Sequence, residues 1–233
     1  MANEIFLEQF TKRISLHNHT CAHSDCASIE PLELIFYSSR AGFDGVAITE
    51  HGYQWDEEEI LKLKNEAVEK KYCQHDFILF SGQEVEVEDG VKTPHALVFG
   101  FPRTIDEKVG MLGLCELVHG VQGAVVVLAH PRRFGYKYEI ENPLGYPADG
   151  IEILQKEQNN AEVLNDIKSE PAKFALIGSD DVHHSSCIWQ NCTLFQKKVQ
   201  TGKDVIRAVK DKLTIPAYDS GKGLRMYLNH FLE

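Results

Sequence analysis

Two histidines one residue apart, His17 and His19, follow the apolar pair Ile14 and Leu16. Ile14 and Leu16 alternate as in a buried strand, and alternate strand residues point the same way. The spacing lets His17 and His19 aim two imidazoles at one point just past a strand end. Two neutral imidazoles converging on a point suit a divalent transition metal. Two surface histidines on an edge strand would give the same pattern, so the pair alone decides nothing. The ends of the later apolar runs decide it. His51 follows the run at 44–48, Glu84 the run at 77–80, His130 the run at 124–129, and Asp181 and His183 the run at 174–177. His95 lies on the return of a hairpin signalled by Asp89-Gly90, and Asp25 in the polar loop after the first strand. A single histidine in such a place is more often a hydrogen-bonded structural residue. So many imidazoles and acids are unfavourable to bury together unless cations compensate them. The pattern therefore predicts a metal centre.

The elements that must position these residues alternate along the chain. Residues 31–41 read as a helix, with Pro31 in the first turn and Gly42 where a left-handed cap would sit. Residues 56–71 read as a second helix whose acidic start and basic end match the helix dipole. Ile60, Leu61, Leu63, Ala67 and Val68 give it an apolar side. Further helices are predicted within 106–119, near 161–168 and over 202–213, and further strands over 95–100, 150–154 and 192–199. Glu152, inside the run at 150–154, is placed in the barrel core or behind a ligand rather than in catalysis. Strand and helix alternate with no Pro/Gly/Ser-rich linker between them. That predicts an α/β protein with a parallel, barrel-like sheet, and one domain over residues 1–233. Barrel strands end on one face, where sites assemble.

Composition narrows the function classes. The chain has 233 residues, 43% hydrophobic and 25% charged, with a formal net charge of −11. A net charge of that sign opposes binding of long nucleic acids, which need a basic track to displace counterions. It does not oppose a small anionic substrate, because bound cations reverse the local sign in a pocket. No apolar run is long enough to cross a bilayer, and the acidic N-terminal stretch lacks the basic start of a leader. A cytoplasmic protein without a membrane partner is expected. The six cysteines form no C-x-x-C pair and are expected to be reduced, small apolar fillers.

His17-x-His19-Thr20, Ser24-Asp25, Thr49-Glu50-His51-Gly52, Gly82-x-Glu84, His95-x-Leu97, Ala129-His130-Pro131 and Asp181-x-His183 occur in this order over residues 14–184. Together they resemble the polymerase-and-histidinol-phosphatase (PHP) family. Cys26 replaces the glycine usual after Ser-Asp, and Asp180-Asp181 doubles an acid that is commonly single. The resemblance implies a distorted (β/α)7 barrel with two or three divalent metal ions, zinc, iron or manganese, on one face. It assigns His17, His19, Glu84 and Asp181 to one ion. Glu84 bridges to a second, held also by His95 and His130, and Asp25, His51 and His183 hold the third. Asp181 rather than Asp180 keeps the D-x-H spacing to His183, which leaves Asp180 as a supporting group beside the catalytic ligands. Arg132 and Arg133, just after His130-Pro131, are candidates to grip a phosphate, with Arg132 the first choice because it stands nearer the ligand.

The implied activity is that of a metal-dependent phosphoesterase. It would hydrolyse a small phosphorylated substrate through attack by a metal-activated hydroxide. Histidinol phosphate, a nucleotide, a short oligonucleotide and phosphotyrosine are the substrates to test. Two alternatives stand beside it: a non-catalytic metal-binding or assembly module, and an amidohydrolase-type carbon–nitrogen hydrolase. The latter typically bridges its metals with a strand-end lysine, whereas Glu84 occupies that place here.

Overall fold

Apolar runs too continuous for a half-exposed strand form the inner strands of one curled sheet. Residues 125–128, all valine or leucine, are entirely buried. The computed structural model describes residues 8–135, 138–187, 190–221 and 223–227. Most of the acidic N-terminal stretch that was read for a leader, residues 1–7, lies outside the described residues.

The strands are β1 (Phe10–Ser15), β2 (Gly45–His51), β3 (Ile78–Glu86), β4 (His95–Phe99), β5 (Val125–Leu128), β6 (Gly150–Leu154), β7 (Ala175–Gly178), β8 (Asn191–Gln196), β9 (Ile215–Asp219) and β10 (Leu224–Met226). They form a ten-stranded sheet in the order β10-β9-β8-β1-β2-β3-β4-β5-β6-β7. The described helices are α1 (Pro31–Arg40), α2 (Glu57–Glu69), α3 (Met111–His119), α4 (Asn160–Ile167) and α5 (Gly202–Lys210). The expected all-parallel sheet is realised in two blocks, β1-β2-β3 and β5-β6-β7. Between them β4 runs antiparallel to both neighbours. The link from β3 to β4 is too short for a crossover helix, so it closes as a hairpin at Asp89-Gly90 instead.

The β7 edge curls back toward β1 and β8. Beyond β1 and β7 the chain pairs again, with the His19 N–H on the Val182 carbonyl at 2.8 Å. Lower down, the Thr193 hydroxyl donates to the Gly178 carbonyl at 2.9 Å and accepts from its N–H at 3.1 Å. A Cβ at position 178 would lie 2.6 Å from the Cys192 carbonyl oxygen, so only glycine permits this approach. The curl thus sets the first H-x-H segment beside the last D-x-H segment.

Alternation divides the core. Ile14, Ala47, Phe80, Leu97, Val127 and Ile177 meet in a cluster with residues of α5. The opposite-facing Val98, Val126, Leu128 and Ile151 pack with residues of α3 and α4, and Val46, Ile48 and Leu79 with those of α1 and α2. Helix α2 is capped by Asp56, which accepts the Glu59 N–H at 2.8 Å. Ile60, Leu63 and Ala67 are buried on it, but Leu61 is 57% exposed and does not belong to the apolar side. Helix α3 starts at Met111, later than the sequence pattern suggests. The preceding backbone is engaged elsewhere: the Val109 carbonyl accepts the Glu88 N–H at 3.1 Å, and the Gln83 side chain accepts the Ile105 N–H at 2.8 Å. No described helix is long and apolar enough to cross a membrane.

Candidate metal centre

Register along the sheet carries the candidate residues to one place. His51 ends β2 directly opposite Glu84 on β3, and His95 opens β4 opposite Glu86. His17 and His19 lie just past β1, His130 two residues past β5, and Asp181 three residues past β7. Eight of the nine proposed ligands gather in three overlapping groups whose donor atoms lie within 4.8 Å of one another. The groups are His17, His19, Glu84 and Asp181; Glu84, His95 and His130; and His19, His51 and His183. Asp25 is exposed and lies outside all three.

The first group has the dimensions of a small coordination sphere. His17 Nε2 is 3.2 Å from both Glu84 Oε2 and Asp181 Oδ1, and His19 Nε2 is 3.0 Å and 3.2 Å from the same atoms. A tetrahedral ion with bonds of about 2.0–2.1 Å separates its ligands by roughly 3.3 Å. Glu84 turns its other oxygen to the second group, 2.8 Å from His95 Nδ1 and 2.9 Å from His130 Nε2. One carboxylate is thereby shared between two sets of donors.

Burial tests whether these residues suit a cation. His17, His19 and His130 are fully enclosed, and Glu84 and Asp181 nearly so. His17 Nε2, His19 Nε2 and Asp181 Oδ1 are buried without a hydrogen-bond partner, although all three converge. Unpaired buried polar atoms are costly, and a shared cation would satisfy all of them at once. Charge points the same way. Glu84, Asp181, Glu152 and Glu50 are buried carboxylates, and among the described contacts Arg133 supplies the one guanidinium that touches the group. The donor set fits divalent cations.

Without cations the group holds protons instead. Burial would push the His17 and His19 imidazoles down, but the Asp181 and Glu84 carboxylates overcome it and hold both above their ordinary range. Burial likewise would raise the Glu84 and Asp181 carboxyls, yet the surrounding imidazoles hold both well below theirs. The more open His51 behaves oppositely: burial lowers it to about 4, and lowers His183 as well.

The backbone is bent to make these contacts. His130 has φ of 28° and Asp181 φ of 52°, in the left-handed region that ordinary side chains avoid. Lys71 and Lys212, which share this conformation, follow helix ends, where it is routine. At His130 and Asp181 no helix end explains it. Strain of this kind is tolerated where surroundings impose it, and it concentrates at functional sites.

The other proposed catalytic groups separate. Arg133 donates to Asp181 Oδ2 at 3.0 Å and to Glu157 at 3.1 Å, with its Nη1 3.5 Å from His130 Nε2. Arg132, the first choice from sequence, faces away from the centre and is held by Asp166 and Glu139. Residues 133 and 158 form an antiparallel bridge, so neighbouring side chains point to opposite sides. Nearness in sequence to His130 therefore favours Arg132, whereas the arginine that reaches the edge of the centre is Arg133. Asp180 accepts the Gln190 and Asn191 N–H groups at 2.9 Å and 3.0 Å and anchors the entry to β8.

Two supporting residues, Glu50 and Ser24, stand within the motifs but have no role in the sequence reading. Ser24 Oγ donates to Glu50 Oε2 at 2.5 Å and lies 3.3 Å from His19 Nδ1. The signal was an acid inside the apolar run that ends in His51. Glu152 sits behind His17, its Oε1 3.1 Å from Nδ1, in agreement with its expected place.

No family model and no curated protein sequence matches the chain. Solved structures do. A two-domain protein from Bacteroides vulgatus containing a predicted PHP-like metal-dependent phosphoesterase is similar at a TM-score of 0.62 and 16% identity, over 90% of this chain and 65% of that one. The chain has the PHP-like fold. A lesion-specific endonuclease from Pyrococcus furiosus matches at a TM-score of 0.55 and 14% identity, over 92% of this chain and 57% of that one. An amidohydrolase from Chromobacterium violaceum matches at 0.53 and 12%, over 73% and 87%. The chain thus spans less than two thirds of the length of the first and second of these. The fold is common to phosphoesterase, endonuclease and amidohydrolase, so the reaction must be argued from the site.

Proposed function

We propose that the protein is a metal-dependent phosphoesterase acting on a small phosphorylated molecule. The observation that carries this reading is Glu84, a buried carboxylate whose two oxygens serve two donor sets. Paired divalent cations bridged in this way lower the pKa of a water toward neutrality and offset charge on the attacking and leaving oxygens of an in-line displacement. His17, His19, Glu84 and Asp181 would hold one ion, and Glu84, His95 and His130 the other. His51 and His183, with Asp25 turned inward, would hold a third. Zinc, iron and manganese all suit such ligands.

Arg133 is the residue suited to the phosphate. Its guanidinium already reaches the edge of the centre and can take non-bridging oxygens in a bidentate grip. Glu157 holds the other side of its fork and keeps it aimed. Burial of the ligands excludes water from the centre and strengthens each of these charges. The same reading takes residues 1–233 as one domain on the plan of a distorted (β/α)7 barrel, at work in the cytoplasm. The amidohydrolase alternative is disfavoured because a carboxylate, Glu84, rather than a lysine stands between the two donor sets.

The test is turnover of p-nitrophenyl phosphate, histidinol phosphate, nucleoside monophosphates, short oligonucleotides and phosphotyrosine with zinc, iron or manganese. Activity that disappears with chelator and with His130→Ala is the expected result. Activity indifferent to both would remove the proposal. Full metal content without turnover on any of these compounds would favour a non-catalytic metal-binding module.

A further inference from the structure

Two of the buried imidazoles have the nitrogen facing away from the centre held by a buried acid. For His17 the link is direct: Nδ1 lies 3.1 Å from Glu152 Oε1. Glu152 is wholly enclosed, accepts the His130 N–H at 2.7 Å on its other oxygen, and also accepts the Ser179 hydroxyl. For His19 the link passes through a hydroxyl. Nδ1 lies 3.3 Å from Ser24 Oγ, which donates its one proton to Glu50 Oε2 at 2.5 Å. Glu50 is wholly enclosed too, and accepts the Thr20 N–H at 3.0 Å.

A carboxylate only accepts, so His17 must carry its proton on Nδ1. The Ser24 proton is spent on Glu50, so its oxygen accepts from His19 Nδ1. In the neutral form of both rings, the form a cation binds, the lone pair then stands on Nε2, the atom that faces Glu84 and Asp181. His95 and His130 differ: their far nitrogens, Nε2 and Nδ1, have no hydrogen-bond partner.

We infer that Glu152 and, through Ser24, Glu50 are positioning residues that fix Nε2 of His17 and of His19 as the nitrogens offered to a metal. Neither acid meets a lysine or arginine in its described contacts, so a permanently charged side chain does not account for burying them. Holding a tautomer does. Ser24 and Glu50 make no described contact with the second donor group, so loss of the Ser24 hydroxyl weakens one ion and spares the other, whereas Glu152 also holds the His130 N–H and its loss reaches both. The inference rests on the metal centre of the proposed function and not on its phosphate chemistry.

The experiment is zinc titration against a competing chelator on the full chain, with nitrogen-15 imidazole spectra of the zinc-loaded protein. Wild type and Ser24→Thr, which keeps the hydroxyl, are expected to coordinate through Nε2 of both rings with Nδ1 protonated. Ser24→Ala should lose about 10–100-fold in affinity for one ion, and Glu152→Ala should weaken both. Should Glu152→Ala fail to fold, Ser24→Ala carries the test alone. Coordination through Nδ1 in wild type, or an unchanged titration of Ser24→Ala, overturns the inference. Zinc uptake absent from wild type overturns it together with the metal centre. Uptake behaving as expected with no phosphate turnover sinks the phosphoesterase reading alone and leaves this one standing.

Discussion

The groups around Glu84 and the group around His51 use the same side-chain types in opposite surroundings. The first two are sealed: His17, His19 and His130 have no accessible surface, and the converging Nε2 atoms of His17 and His19 lack a hydrogen-bond partner. The third is open. The His51 and His183 side chains are 35% and 20% exposed, and Asp25 points to solvent. Its one buried member, His19, already faces Glu84 and Asp181 through Nε2, while its Nδ1 lies 3.3 Å from Ser24 Oγ. An imidazole nitrogen has one lone pair and serves one ion. Water satisfies an exposed imidazole at no cost, whereas a sealed one must find a proton or a cation. Burial would therefore make cations bound at Glu84 part of the folded structure, and a cation bound at His51 an exchangeable addition.

The largest effect should come from breaking the shared ligand. Glu84→Gln removes a charge from both sealed groups, and should empty two ions and lower kcat/KM roughly 10³-fold or more, since several kcal/mol of charge stabilisation are lost. Asp25→Ala should leave those two ions in place. Elemental analysis of the two variants side by side decides it, and equal losses would erase the distinction between sealed and open groups. Chelation is the next largest perturbation. Ions held only by the folded state stabilise it by about 2.7 kcal/mol at a hundred times their dissociation constant. Thermal melting should fall on stripping and recover when zinc returns. A melting point unmoved by stripping would mean that the sealed groups fold without cations.

Arg133 and Arg132 sharpen the contrast on a smaller scale. Arg133→Ala should raise KM for phosphate esters about tenfold or more, since a charge-assisted hydrogen bond contributes roughly 1.5–3 kcal/mol. Arg132→Ala should leave KM alone and cost about 1–3 kcal/mol of stability, because Asp166 and Glu139 lose their partner. Kinetics and denaturant melts on both variants separate the roles, and a KM effect confined to Arg132 would reverse the assignment.

The sequence exposed the donors better than their setting. Seven short motifs named the residues because metal-ligand chemistry restricts a position to histidine or carboxylate. Eight of nine converge because the strands that carry them share a register that periodicity already suggested. What was hidden depends on direction. Asp25 rests on the motif resemblance and Arg132 on its nearness to His130; Asp25 is exposed here, and Arg132 is held by Asp166 and Glu139. The antiparallel insertion of β4 was signalled by Asp89-Gly90, but its effect on the whole sheet was not. β9 and β10 carry no long apolar run, and β10 is largely exposed, so nothing in their pattern announced them. Glu50 looked like an ordinary acid because burial of a carboxylate is a property of the fold and not of its neighbours in sequence.

Proton competition separates the two regions most finely. In the stripped protein the His17 and His19 imidazoles are held above their ordinary range, so they keep protons that an entering cation must displace. Uptake by the sealed groups should therefore strengthen as pH rises through those raised values and weaken as it falls through them. His51 is lowered to about 4 by burial and His183 lies below its ordinary value, so both are already neutral lone-pair donors over most of the range. Zinc titrations between about pH 5.5 and 8.5 should resolve a tight class whose affinity climbs with pH and a weak class that is nearly flat. The order of slopes is the discriminating quantity, because both classes use imidazole and differ only in what surrounds it. A weak class with the steeper slope would mean that enclosure does not set the proton affinity of these rings, and the contrast between the two regions would fail at its root.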